Sequence, residues 1–167
     1  KEVVIGFLGC GNVGGGVWSL LTGFSREIAH RDSLSIRIKR VLVRDVNKTR
    51  PCGVPHELLT TNADDVVNDP EISIVVEFMG GEQPATDYML RALENGKTVV
   101  TANKVAIALN WHRLQAAAQR NHVGLYYEAS VCGAIPIINT LMQPLQANRI
   151  DSLMGIINGT TNYILSR

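Results

Sequence analysis

Gly9, Gly11 and Gly14 stand in the spacing G-x-G-x-x-G. That pattern points to anion chemistry performed by backbone rather than by side chains. Glycine at the first position permits a tight turn. Glycine at the second lets a pyrophosphate approach where a Cβ would intrude, and glycine at the third allows a helix to pack closely on a strand. The amides of Asn12 and Val13, at the start of the following helix, would face the phosphates. The pattern is weak alone, but here an apolar run precedes it and a helical repeat follows, which is the context it requires. The competing reading is a tight strand–helix turn with no ligand. Gly15 and Gly16 weaken the helix start by about 1 kcal/mol each relative to Ala, a cost that close approach of a ligand explains.

Arg44, Asp45 and Lys48 follow the second apolar run. An acid at such a strand exit binds the 2′-hydroxyl of an NAD ribose, whereas an arginine accepts the 2′-phosphate of NADP. Both are present, and two cations favour NADP. Asp45 could serve the ribose or pair with Lys48, and the whole cluster could be a solvated strand end. Further on, Glu77-Phe78-Met79-Gly80-Gly81-Glu82 places two glycines where a loop can pass close to a bound cofactor. Thr101-Ala102-Asn103-Lys104 ends another strand. Lys104 would polarise a carbonyl oxygen or join a proton relay there; its bland alternative is an exposed loop lysine.

These residues need elements to hold them. Strands are expected at 3–8, 36–43, 72–78, 98–101, 124–128 and 150–157, most of them continuous apolar runs. Helical spacing of Val13, Val17, Leu20, Leu21, Phe24 and Ile28 predicts one helix ending near His30. Further helices are expected at 63–68, from Pro84 to Gly96, over 111–120, and from Pro136 through Ile138, Leu141, Met142 and Leu145. Pro51, Gly53 and Pro55 argue against a long element between 47 and 68. Strands alternating with helices predict an α/β protein with a Rossmann-type, doubly wound parallel sheet and helices on both faces.

The chain has 167 residues, 46% hydrophobic and 19% charged, which is one ordinary globular domain. A net charge of +1 gives no footprint for nucleic acid or an anionic membrane. No apolar run approaches the roughly 18 residues of a membrane span. Cys10, Cys52 and Cys132 are odd in number and widely spaced, so neither a disulfide framework nor a zinc knuckle is expected. A reduced, cytoplasmic setting follows. Cys10 reads as a small buried filler, although a helix start favours thiolate. The four histidines have no metal spacing. The run from Lys1 straight into a strand predicts no signal peptide, and the missing Met suggests a trimmed start.

Four ordered segments carry a family resemblance: 75–81, 96–104, 128–138 and 158–165. Val75-Val76-Glu77-Phe78-Met79-Gly80-Gly81 and Gly96-Lys97-Thr98-Val99-Val100-Thr101-Ala102-Asn103-Lys104 resemble homoserine dehydrogenase. So do Glu128-Ala129-Ser130-Val131-Cys132-Gly133-Ala134-Ile135-Pro136 and Asn158-Gly159-Thr160-Thr161-Asn162-Tyr163. Cys132 and Ala134 depart from the family, which more often has Ala and Gly there. The resemblance implies reversible NAD(P)-dependent interconversion of L-aspartate 4-semialdehyde and L-homoserine, on the route to threonine, methionine and isoleucine. It implies that Lys104 lies near the nicotinamide and the reacting oxygen, with Thr101, Ala102 and Asn103 lining the cofactor. Glu128, Val131, Gly133 and Ile135 would hold a monovalent cation such as sodium, largely through carbonyls. It also implies a homo-oligomer, most simply a dimer. Residues 1–130 would form the NAD(P)-binding domain, and 131–167 the link into a substrate and dimerisation region. On that reading the chain alone binds cofactor yet barely oxidises homoserine. The competing functions are a non-catalytic nucleotide-sensing module and another aldehyde- or imine-reducing family.

Overall fold

A computed structural model describes residues 1–156 and 158–167. Six strands form one parallel sheet in the order β3-β2-β1-β4-β5-β6. They are β1 (Glu2–Leu8), β2 (Ser35–Leu42), β3 (Leu59–Thr60), β4 (Ile74–Glu77), β5 (Thr98–Thr101) and β6 (Leu125–Tyr126). This is the Rossmann strand order, which reverses direction between β1 and β4. The doubly wound expectation therefore holds. The sixth strand, however, is the short β3 within the Pro- and Gly-rich stretch rather than the apolar run at 150–157.

Consecutive strand residues face opposite sides of a sheet, and the core divides accordingly. Phe7 and Val41 pack with Ile5, Val43 and Trp18 on one face. Leu8 and Leu42 join Val66, Val75, Met89, Leu93, Val99 and Leu114 on the other. The first face is covered by α1 (Asn12–Gly23), which contributes Trp18. The second is covered by α3 (Asp64–Val67), α4 (Ala85–Glu94) and α5 (Lys104–Arg120). Lys97 is buried at the opposite end from the glycine loop. Its ammonium donates to the Asp69 and Ile72 carbonyls, tying the β4 entrance to the α4–β5 turn.

Four predicted elements differ. The single helix over 13–28 is two, α1 and α2 (Ser25–Asp32), broken at Phe24 just after Gly23. Helix α5 begins at Lys104, seven residues before the expected start at Trp111, because the Asn103 side chain caps it by accepting from the Ala106 amide at 3.1 Å. Helix α6 (Ile137–Met142) stops before Leu145, since Pro144 has no N–H with which to continue the helical hydrogen bonds. Residues 150–156 form no strand. No sheet edge pairs with them, and Met154 is 98% exposed. Residue 157, the end of that expected strand, lies outside the described residues. Helix α7 (Gly159–Leu165) follows, capped by Asn158.

Gly6 lies inside β1, where a Cβ would come within 2.7 Å of Val66 Cγ1 and 2.9 Å of Ile72 Cδ1. Gly6→Val should destabilise the fold by about 1–3 kcal/mol through overpacking, despite valine's preference for strands. A urea midpoint measures this, and Val66→Ala placed in the Gly6→Val chain should recover part of the loss.

Candidate functional site

The parallel register sets Leu8 beside Glu77 and Glu77 beside Thr101. Three strands therefore end together, and their following loops share one edge of the sheet. The first is the glycine loop. Gly9 adopts φ +99°, a conformation that favours glycine, and its amide donates to the Leu42 carbonyl at 2.9 Å. A Cβ on Gly14 would sit 2.9 Å from the Gly9 carbonyl oxygen, so this position must be small for α1 to reach the strand. A Cβ on Gly11 would meet no protein atom within 4 Å. Gly11 is the N-cap of α1, with no side-chain cap and no acid in the first turn. The amides of this first turn thus lack the intrahelical partners that every helix start lacks, and the space beside Gly11 is open. Asn12 and Val13 are exposed there. This arrangement fits a dinucleotide pyrophosphate.

Gly15 has a different cause from the one its position suggested. A Cβ there would lie 3.3 Å from Cys52 Sγ, so its small size accommodates a protein side chain and not a ligand. Cys10 is half-buried, with its Sγ 3.9 Å from that of Cys52. Burial, then Cys52, raise its thiol to about 11, with Arg50 opposing. The thiol form dominates despite the nearby helix start.

Beyond β2, Arg44, Asp45 and Lys48 are exposed on one loop. Asp45 does not pair with Lys48 among the described residues. Its carboxylate accepts the Asn47 amide at 2.8 Å. The loop is held by Arg50, whose guanidinium donates to the carbonyls of Asp45 (2.8 Å) and Lys48 (2.7 Å). Nothing in the spacing of Arg50 along the sequence marks this role.

Glu77 is the other residue whose role the sequence did not show. It is fully buried at the end of β4. Its carboxylate accepts from the Met79 amide (2.6 Å), the Thr101 hydroxyl (2.5 Å) and the Asn103 amide group (3.4 Å). Asn103 also donates to the Gly81 carbonyl at 2.7 Å, and its own amide donates to Thr101 Oγ1 at 2.9 Å. Gly80 and Gly81 adopt φ +73° and +72°. Hence Gly80, Gly81, Thr101, Ala102 and Asn103 are locked into one cluster by a buried acid. A charged residue inside an apolar strand just before Gly-Gly was the available signal. Lys104 begins α5, exposed and free of any ion pair among the described residues. Asn110 kinks that helix and donates to Glu82 Oε1 at 3.1 Å, bracing the glycine-pair loop from behind.

The expected cation set lies apart, after β6. Both carboxylate oxygens of Glu128 accept first-turn amides of α6, from Ile138 (3.0 Å) and Asn139 (2.7 Å). The Ile135 carbonyl accepts the Ile137 amide at 2.9 Å. Val131 and Gly133 carbonyls take no backbone hydrogen bond among the described residues. Cys132 and Ala134 flank Gly133 with φ +51° and +66°, a backbone that explains why glycine suits this turn. No cluster of three or more His, Cys, Asp or Glu able to hold a metal occurs among the described residues.

Comparison with known proteins places this geometry. Residues 9–128 match the family model for the NAD binding domain of homoserine dehydrogenase, and residues 136–167 match the homoserine dehydrogenase model that follows it. The chain belongs to the homoserine dehydrogenase family. It is 42% identical over 167 residues to a homoserine dehydrogenase of Bacillus subtilis, covering 100% of this chain and 39% of that protein. It is 46% identical to one from Synechocystis, covering 99% and 38%. A crystal structure of a homoserine dehydrogenase from Thiobacillus denitrificans superposes with a TM-score of 0.92 at 48% identity, covering 99% of this chain and 38% of that one. The chain thus carries the family's NAD(P)-binding domain and spans 39% and 38% of the length of these curated relatives. No helix among the described residues is long and apolar enough to cross a membrane.

Glu77→Ala should cost about 3 kcal/mol of stability, because it strands three buried donors. Glu77→Gln should cost clearly less, since one acceptor oxygen remains. Denaturant midpoints of the two variants measure the difference.

Proposed function

We propose that this chain provides the cofactor half of an NAD(P)-dependent homoserine dehydrogenase that interconverts L-homoserine and L-aspartate 4-semialdehyde. The observation that carries this reading is the open, uncapped start of α1 at Gly11, beside loops held by Glu77. Residues 1–130 act as the dinucleotide-binding domain, and 131–167 lead into the substrate side.

The first-turn amides of α1, Asn12 and Val13 among them, would bind the pyrophosphate, with Gly9 and Gly14 shaping the turn. Arg44 and Lys48 would take the 2′-phosphate, favouring NADP over NAD, while Arg50 holds their loop in shape. Gly80, Gly81, Thr101, Ala102 and Asn103 would line the nicotinamide end. A nicotinamide bound there supplies or accepts the hydride. Lys104 Nζ would stabilise negative charge on the reacting oxygen as the alcohol and carbonyl interconvert. A monovalent cation would rest mainly on the Val131 and Gly133 carbonyls, with Glu128 fixing α6 beside them, and hard oxygen donors suit such an ion. The exposed apolar residues Leu153, Met154, Ile156 and Leu165 support assembly with a second copy in the whole enzyme.

Nucleotide titration tests the loop. Gly11→Val should abolish binding with the fold intact, because Gly11 has negative φ and no protein atom near its Cβ. Arg44→Ala should weaken NADP(H) about tenfold or more and NAD(H) little. Equal losses would leave Asp45 as the discriminator.

The chemistry is tested by grafting residues 1–167 onto the remainder of the Bacillus subtilis relative and following reduced-nicotinamide absorbance with homoserine. The graft should turn over, and Lys104→Ala should lower kcat by about 10²–10⁴-fold, the range for a group acting on the reacting oxygen. A graft indifferent to Lys104→Ala would remove that residue from the chemistry.

A further inference from the structure

Cys10 and Cys52 are 42 positions apart in sequence, yet their Sγ atoms are separated by 3.9 Å. Cys10 lies in the glycine loop between β1 and α1. Cys52 lies in the turn 50–53, closed by the Gly53 amide donating to the Arg50 carbonyl at 3.1 Å. Both are half-buried free thiols, and Cys132 is an exposed one. The hydride-transfer reading uses neither Cys10 nor Cys52.

We propose that Cys10 and Cys52 form a dithiol site that closes reversibly to a disulfide with a small-molecule disulfide as oxidant, and that closure weakens dinucleotide binding. The second half rests on the reading that the glycine loop holds the pyrophosphate.

The exchange balances as follows in atoms and electrons. One cysteine thiol gives its proton to solvent and attacks a sulfur of the oxidant RS–SR. That S–S bond breaks, and RS⁻ leaves and is protonated, so the protein carries a mixed disulfide. The second cysteine loses its proton and attacks the protein-side sulfur. The Cys10–Cys52 bond forms, and the second RS⁻ leaves and is protonated. Two protein thiols are oxidised by two electrons, and one RS–SR is reduced to two RSH. Burial and Cys52 together keep Cys10 a thiol, with a pKa of about 11.

Closure moves the loop. A disulfide bond is about 2 Å long, so the two sulfurs must lose roughly half their separation. Gly9 is pinned by its hydrogen bond to the Leu42 carbonyl, which leaves the Cys10–Gly11 backbone and the 50–53 turn to shift. The first carries the amides that face the pyrophosphate. The second carries Arg50, which ties the carbonyls of Asp45 and Lys48. Hydrogen bonds to an anion weaken steeply when misaligned.

The test uses the full 167-residue chain with Cys132→Ser, which removes the exposed third thiol. It is treated with oxidised glutathione, then examined by intact mass, by tryptic mapping and by NADPH titration. The expected result is loss of two hydrogens and a linked pair of peptides, Glu2–Arg26 and Thr49–Arg91. NADPH affinity should fall about tenfold in the oxidised chain and return with dithiothreitol. Adding Cys52→Ser should abolish both the linked pair and the response to oxidant. Two free thiols, or two separate glutathione adducts, would overturn the site. A linked pair with unchanged NADPH affinity would overturn the coupling. A reduced chain that links but binds no NADPH would support the thiol site while overturning the cofactor reading and the coupling with it.

Discussion

A carboxylate with no access to water organises this molecule's functional edge. Removing Glu77 from solvent is costly unless its oxygens are hydrogen-bonded, and here the donors come from three different pieces of chain: the loop after β4, the end of β5 and the cap of α5. Satisfying one buried acid therefore fixes three segments relative to one another. The glycine pair can adopt left-handed backbone because both sides of its loop are anchored. Lys104 then emerges from the first turn of α5 at a defined place rather than from a mobile loop.

The sheet supplies the setting for that acid. Strand order reverses between β1 and β4, and crossovers leave in opposite directions at that point, so a crevice opens beyond the strand ends. Glu77 sits one strand from the glycine loop, with Leu8 opposite it in register. The glycine loop and the Glu77 cluster consequently flank the same crevice. Their supports differ. The glycine loop is shaped by steric necessity at Gly9 and Gly14, while the second cluster is shaped by hydrogen bonds to a buried charge.

The segment after β6 is organised by another acid. Glu128 spans from the 3-10 turn 128–130 to the first amides of α6, where negative charge complements a helix start. Trp111 and Tyr127 meet edge to face nearby at 4.8 Å, and together with Ile138 and Met142 they line an open cleft of about 590 Å³ beside the β6 edge. Farther along, Leu153, Met154 and Ile156 are exposed. Apolar character there is not used by this sheet.

Local pattern determined a large share of this protein from sequence alone. The glycine spacing, the continuous apolar strands and Gly96 after α4 all depend on short-range sterics or on burial of both sheet faces, and each is legible within a few residues. Asn103 as the cap of α5 and Pro144 as the stop of α6 are local too, since a capping amide and a proline act within one helical turn. Other features needed the tertiary structure. A two-residue strand such as β3 has no pattern of its own and exists because β2 offers an edge. The apolar run at 150–156 has a strand's composition but no partner edge, and composition cannot supply one. Glu77, Arg50 and the Cys10–Cys52 pair acquire their roles from groups 24, 5 and 42 positions away. Only the fold decided those distances, because side-chain hydrogen bonds and thiol contacts act over a few ångströms of space, and a charge inside an apolar strand, as at Glu77, marks a residue without naming its partners.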